Sequence, residues 1–180
     1  MNAMPELFTP LTNGAGHPHK WPAALFICSQ TEARRRGAEW APSHIISIYG
    51  PECRYLGLAG FATERQLHLR VEDTRTADEP GAATMAHVEE VIAFVDAMPK
   101  AARLMIHCLT GTSRSGAVAL GLLARAMAAD KAGQELYKMN PNASPSPLLV
   151  ALWDKKLDLG GKLIKASRKF PQQMLRAVGE

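Results

Sequence analysis

Four short runs of apolar residues recur along the chain, and the stretches between them carry hydrophobic positions at helical spacing. Ala23–Cys28, Ser43–Tyr49, Leu67–Val71 and Arg103–His107 read as strands: the first and last are continuous apolar runs, and Leu67–Val71 alternates. Ser29 and Glu32 stand at capping-box spacing ahead of the basic run Arg34–Arg36, which predicts a helix start directly after the first strand. Gly50-Pro51 closes the second strand. Thr84–Met98 places Val88, Val91, Ile92 and Val95 on one face of an amphipathic helix. Gly116–Ala128 is almost wholly apolar and reads as a buried helix. Two or three helices follow, among them Pro147–Leu157 with Leu149, Leu152 and Trp153 on one side. Strands alternating with helices imply an α/β fold, a mainly parallel central sheet of four to five strands covered by helices on both faces. Such sheets bind ligands beyond the carboxyl ends of their strands.

One of those ends carries unusual chemistry. Arg103–His107 runs into His107-Cys108-Leu109-Thr110-Gly111-Thr112-Ser113-Arg114-Ser115, and the buried helix follows at once. A cysteine and an arginine separated by five residues, with a glycine between, form the pattern H-C-x2-G-x2-R-S, which recurs by chance on the order of 10^-5 times in a chain this long at ordinary residue frequencies. A strand-to-helix turn aims backbone N–H groups at an anion, and the helix dipole adds to their field. A thiol attacks only as a thiolate, a form favoured beside a helix N-terminus and an arginine, so Cys108 is expected to be ionised and exposed. Arg114 offers a planar fork matched to two oxygens of a phosphate, sulfate or arsenate. Gly111 permits the tight turn. Ser115 is placed to donate its hydroxyl to the Cys108 sulfur, and His107 is expected to orient the loop through hydrogen bonds rather than act as a base. Taken singly, a cysteine ending a strand is usually an inert core thiol, and a glycine or serine after it simply a turn. The joint pattern describes displacement at phosphorus through a phosphocysteine.

The stretch resembles the signature loop of cysteine-dependent protein tyrosine phosphatases, and the compact chain resembles their dual-specificity-like branch, in particular small bacterial members. The resemblance is strong over the loop and extends weakly over about residues 23–170. It implies metal-independent hydrolysis of phosphate monoesters with no cofactor. Leu109, Thr110, Gly111, Thr112, Ser113 and Arg114 would form the phosphate loop, and an aspartate on an upstream loop would protonate the leaving oxygen. Asp73, just beyond the strand ending at Val71, is the expected acid, because residues at strand ends are well placed; Asp78 in the following solvated loop is its rival. In that branch a later Pro-Asn pair braces the loop. Here Pro145-Ser146 stands in its place, so Ser146 is the expected support, with Asn142 near enough to substitute.

Composition sets the remaining bounds. The 180 residues suit one catalytic domain over 23–180 after an irregular Pro- and Gly-rich extension over 1–22, in which His17 and His19 read as part of a solvated tail. No stretch is apolar enough to span a membrane, and the N-terminal residues lack a signal-peptide pattern. Three scattered cysteines make neither a disulfide framework nor a metal site, which fits a reducing, cytoplasmic location. Cys28 reads as a core thiol; the competing expectation is a partner that traps oxidised Cys108 as a disulfide. The net charge is only +4, but Lys155, Lys156, Lys162, Lys165, Arg168 and Lys169 crowd the C-terminal helices, either as a solvated face or to guide an acidic substrate or membrane surface. No nucleic-acid partner is expected. The uncharged loop residues lean towards a phosphorylated protein or small aryl phosphate over polyanionic substrates. The alternative from another class is a phosphate-binding module that recognises phosphoproteins without turnover. Arsenate reduction and sulfur transfer are lesser rivals.

Overall fold

The computed structural model describes residues 24–169 apart from 56 and 100, so the extension over 1–22 and the His17/His19 pair lie outside the described residues. Among the described residues four strands form one sheet: β1 (Ala24–Ser29), β2 (His44–Tyr49), β3 (Gln66–Arg70) and β4 (Arg103–Cys108), in the order β1-β4-β2-β3. Every pairing is parallel. The chain passes from β1 to β2 and β3, then returns to insert β4 between β1 and β2. That placement explains the continuous apolar run of β4: it is covered on both faces, and every residue after Arg103 is buried. β3 lies at the edge and is only partly buried, in keeping with its alternation.

The helices divide unequally between the faces. On one side lies α1 (Gln30–Trp40), whose Ala33 and Trp40 pack with Phe26, Cys28, Ile45 and Met105. Its predicted capping box is present. The Ser29 hydroxyl accepts from the Glu32 N–H at 3.2 Å, and the Glu32 carboxylate accepts from the Ser29 N–H at 3.1 Å. The opposite face carries the larger cluster, built by α2 (Met85–Ala97), α3 (Arg114–Ala126), α4 (Ala129–Met139), α5 (Pro147–Lys156) and the short α6 (Lys162–Ser167). Val88, Val91 and Val95 of α2 are buried as their spacing predicts, and Ile92 is partly so. Twelve consecutive residues of α3, Arg114–Arg125, are buried. A helix enclosed all round needs no polar face; its one charged residue near the C-terminus, Arg125, reaches Asp96 at 2.9 Å. The six C-terminal cations of the sequence are all exposed, and Lys156 pairs with Glu89 at 2.6 Å. No helix among the described residues is long and apolar enough to cross a membrane.

The closest packing on α3 is at Gly121, where a Cβ would fall on the indole of the fully buried Trp153. Gly121→Ala gains about 1 kcal/mol of helix propensity but overpacks the α3–α5 contact at a cost of about 3 kcal/mol. A net loss of about 2 kcal/mol is expected in urea denaturation. A variant as stable as the parent would show that α5 yields freely.

Candidate active site

β4 delivers Cys108 to the carboxyl edge of the sheet, and α3 begins six residues later with Arg114. The five residues between must reverse the chain while staying against the end of β1. Gly111 makes this possible in two ways. Its φ is +78°, and a Cβ there would lie 2.5 Å from the Cys28 carbonyl carbon and the Ser29 nitrogen. No other residue satisfies both demands.

The orientation of the loop's peptide units comes from a segment that follows α4. The Asn140 side-chain amide donates to the Gly111 carbonyl at 3.0 Å. The Ser144 N–H donates to the Thr112 carbonyl at 3.1 Å and the Ser146 N–H to the Ser113 carbonyl at 3.3 Å. Three consecutive carbonyls are therefore held towards residues 140–146. Because each trans peptide points its N–H opposite to its C=O, the N–H groups of Thr112, Ser113 and Arg114 are turned the other way. Around the sulfur, the Gly111 N–H donates to Cys108 Sγ at 3.3 Å, and the Ser115 hydroxyl lies 3.2 Å from it. The bracing role expected of the Ser146 or Asn142 side chain falls instead to the Asn140 side chain and the Ser146 backbone. Asn142 donates its own N–H to Asn140 Oδ1 at 3.1 Å and so steadies that amide.

The strand-end segment after β3 is tied to the loop at two adjacent positions. The Ser113 hydroxyl donates to Asp73 Oδ1 at 2.7 Å, and Arg114 Nη1 donates to the Val71 carbonyl at 2.7 Å. Asp73 is thus brought against the loop. Asp78 is not: it is exposed, and bonds from the Thr76 hydroxyl and its own backbone hold its carboxyl below the usual range. Arg114 is only 7% exposed, and its Nε is buried with no hydrogen-bond partner. That leaves a donor edge at the site uncommitted. Ser113 and Ser115 are buried, whereas Thr110 is exposed, its hydroxyl 2.9 Å from that of Thr112. Leu109 is 65% exposed at the rim.

Two expectations need correction, and a third, Cys28 as a core thiol, holds against its rival. Cys108 is buried, not exposed, with 1% of its surface accessible; ending a central strand, it is roofed by its own loop. His107 does not bond to the loop. Strand alternation turns it to the opposite face, where Nε2 lies 2.8 Å from the Ser47 hydroxyl and 3.1 Å from that of Tyr55. Cys28 pairs with His107 in register and shares that face, packed among Phe26, Trp40 and Met105, while Cys108 belongs to the other cluster. Burial, with Glu32 nearby, pushes the Cys28 thiol far up, as suits an inert core thiol. Beside the loop a cavity of about 200 Å³ opens, lined in part by Tyr49, Tyr55, Glu72, His107, Leu109 and Arg114. Among the described residues no group of three His, Cys, Asp or Glu side chains is placed to hold a metal ion.

This four-stranded parallel sheet with its flanking helices has clear counterparts among solved structures. Human DUSP28 matches at a TM-score of 0.59 and 23% identity, over 78% of this chain and 95% of that one. The fold is that of the dual-specificity phosphatases. DUSP15 matches with the same TM-score at 18% identity, over 88% of this chain and all of the other. The PTP-2 phosphatase of Cydia pomonella reaches 0.60 at 18% identity, over 73% and 84% of the two chains. No protein-family model and no curated protein matches the sequence. Within the dual-specificity phosphatase fold, the sequence signal missed was Asn140: it sits one residue past α4, and only the tertiary course of the chain brings it under Gly111.

Burial sets the ionisation of His107. Desolvation first, then the charges of Arg34 and His68, lower its pKa from 6.5 to about 4. The unfolded chain takes up this proton near pH 6.5 and the folded chain only near pH 4, so the unfolded state binds more protons between them. Stability is fully present above pH 6.5 and falls by up to about 3 kcal/mol as the pH drops towards 4. Urea midpoints measured across this window should show the slope in the parent and a shallower one in His107→Gln. Equal slopes would assign the acid sensitivity elsewhere.

Proposed function

We propose that the protein hydrolyses phosphate monoesters, as a tyrosine or dual-specificity protein phosphatase, through a phosphocysteine on Cys108. The observation that carries this reading is the convergence at one strand end of a sulfur, an N–H that donates to it, a hydroxyl within hydrogen-bond distance of it, and a buried arginine with an unpartnered Nε. Cys108 Sγ, as thiolate, attacks phosphorus in line with the ester oxygen. The inward N–H groups of the loop and the Arg114 guanidinium hold the equatorial oxygens as their charge shifts. Asp73 gives its proton to the departing oxygen, so the S–P bond forms as the P–O bond breaks. In the second half Asp73, now a carboxylate, takes a proton from water as that water attacks phosphorus. The Ser115 hydroxyl supports the sulfur as it leaves. The loop amides and Arg114 supply the positive charge, so the scheme calls for no metal and no cofactor. The rate requires Cys108 ionised and Asp73 protonated together, giving a bell-shaped pH profile.

The 2.7 Å bond from Ser113 to Asp73 supports the acid assignment, since it holds that carboxylate at the loop. The decisive assay is hydrolysis of p-nitrophenyl phosphate in EDTA, with vanadate as inhibitor. Cys108→Ser is expected to abolish turnover, and Asp73→Ala to lower kcat by about 10²–10⁴-fold, the usual contribution of a positioned acid. Full activity in Asp73→Ala would move the acid role to another carboxylate. A folded parent that binds phosphotyrosine peptides and never turns them over would establish the phosphate-binding module instead.

The bracing segment gives a second test. Asn140→Ala frees the Gly111 carbonyl to turn inward, where it would repel a phosphate, so a fall of about tenfold in kcat/KM is expected, equivalent to one lost hydrogen bond of about 1.4 kcal/mol. Unchanged kcat/KM with unchanged vanadate affinity would show that the two backbone bonds suffice.

A further inference from the structure

The cavity beside the loop contains a carboxylate that the proposed reaction does not use. Glu72 is half-buried, lines the same 200 Å³ space as Arg114, Tyr49 and Tyr55, and its side chain forms no hydrogen bond or ion pair among the described residues. A carboxylate so near a phosphate site opposes the binding of a dianion, so its presence calls for a reason.

Two glycines leave room for it. Gly50, at the end of β2, has an ordinary backbone conformation that any residue adopts, yet a Cβ there would fall on the Glu72 carboxylate. On the far side, a Cβ at Gly81 would lie 2.8 Å from Glu72 Cγ, and Glu72 N–H donates to the Gly81 carbonyl at 2.8 Å. The missing side chain at Gly50 therefore makes room for a carboxylate, not for a turn. Tyr49 and Tyr55, with ring centroids 5.1 Å apart, form an aromatic wall beside it.

We propose that Glu72 is a specificity determinant that selects phosphotyrosyl segments carrying a lysine or arginine next to the phosphorylated residue. The inference rests on the phosphoester reading of the Cys108 loop. The phosphate goes to Arg114 and the loop amides, the substrate ring lies along the tyrosine wall, and the flanking cation is met by the Glu72 carboxylate. The overall charge of +4 works in the other direction, favouring acidic peptides. A preference for basic flanks therefore comes from the cavity and not from the net charge.

The test compares two phosphotyrosine peptides of equal length, one flanked by lysines and one by glutamates, at low ionic strength. For the parent, kcat/KM is expected to be about three- to tenfold higher for the basic peptide, the size of one partly screened ion pair. Glu72→Gln should bring the ratio close to one. Gly50→Ala, which leaves the charge count unchanged and displaces the carboxylate, should lower the ratio too. Glu39→Gln, on the exposed side of α1, removes the same charge far from the cavity and should leave the ratio intact. A parent ratio of one or below overturns the proposal, as does an equal loss in Glu39→Gln and Glu72→Gln. Should the parent turn over no phosphate ester at all, the catalytic reading fails separately, and the same ratio is read from peptide dissociation constants.

Discussion

Everything at the carboxyl edge of the sheet depends on which way three peptide units face. Left to themselves, residues between a strand and a helix can present carbonyls or N–H groups to the space above Cys108. Asn140, Ser144 and Ser146 decide the matter by taking the carbonyls of Gly111, Thr112 and Ser113 to the outside. The direction of the loop's N–H groups is thus imposed by a segment some thirty residues downstream, held in turn by α4 and α5. Gly111 completes the constraint from the other side, because its bare Cα is what lets the loop rest on the end of β1. The loop is gripped on two flanks, and such preorganisation is what makes backbone dipoles effective against developing charge.

The second constraint couples the loop to the segment after β3. Ser113 and Arg114 are neighbours in sequence, one bonded to Asp73 and the other to the Val71 carbonyl. Any displacement of residues 71–73 must break one or both bonds, so the carboxylate and the loop keep their relative position. The Arg114 bond has a further effect. By occupying Nη1 it fixes the plane of the guanidinium, and the buried Nε remains free of any partner. A guanidinium locked in one plane loses little entropy when it meets two oxygens of an anion.

Much of this was legible in the sequence because local chemistry and tertiary structure agree there. The apolar run of β4, the motif after it and the apolar helix behind it each specify their own geometry, and the Ser29/Glu32 cap forms as its spacing requires. What escaped the sequence depends on which elements meet. Asn140 is an unremarked polar residue at a helix end, and nothing local links it to Gly111. Ser146 was expected to brace through its side chain, yet it acts through its N–H, a group that every residue except proline carries. The burial of Cys108 follows from the roof that the loop makes over it, a feature absent from a strand-end pattern. The separation of Cys28 from Cys108 is different in kind: it follows from β1–β4 register and the period of two, and needs only the strand order to be seen.

The same period explains how one strand serves two chemistries. His107 and Cys108 are adjacent, and alternation sends them to opposite faces. His107 enters a closed polar pocket with Ser47 and Tyr55, where burial keeps the ring neutral. A cationic imidazolium placed there would add a second positive charge near the loop. Keeping it neutral leaves Arg114 as the one side-chain cation from His107 to Ser115, so positive charge at the loop comes from a donor of fixed plane and from oriented N–H groups. Tyr55, which bonds to His107 and also lines the cavity, carries that neutral network to the wall against which a bound ring would lie. The polar pocket around His107 and the cavity beside the loop are therefore parts of one construction, joined through Tyr55 and His107 itself.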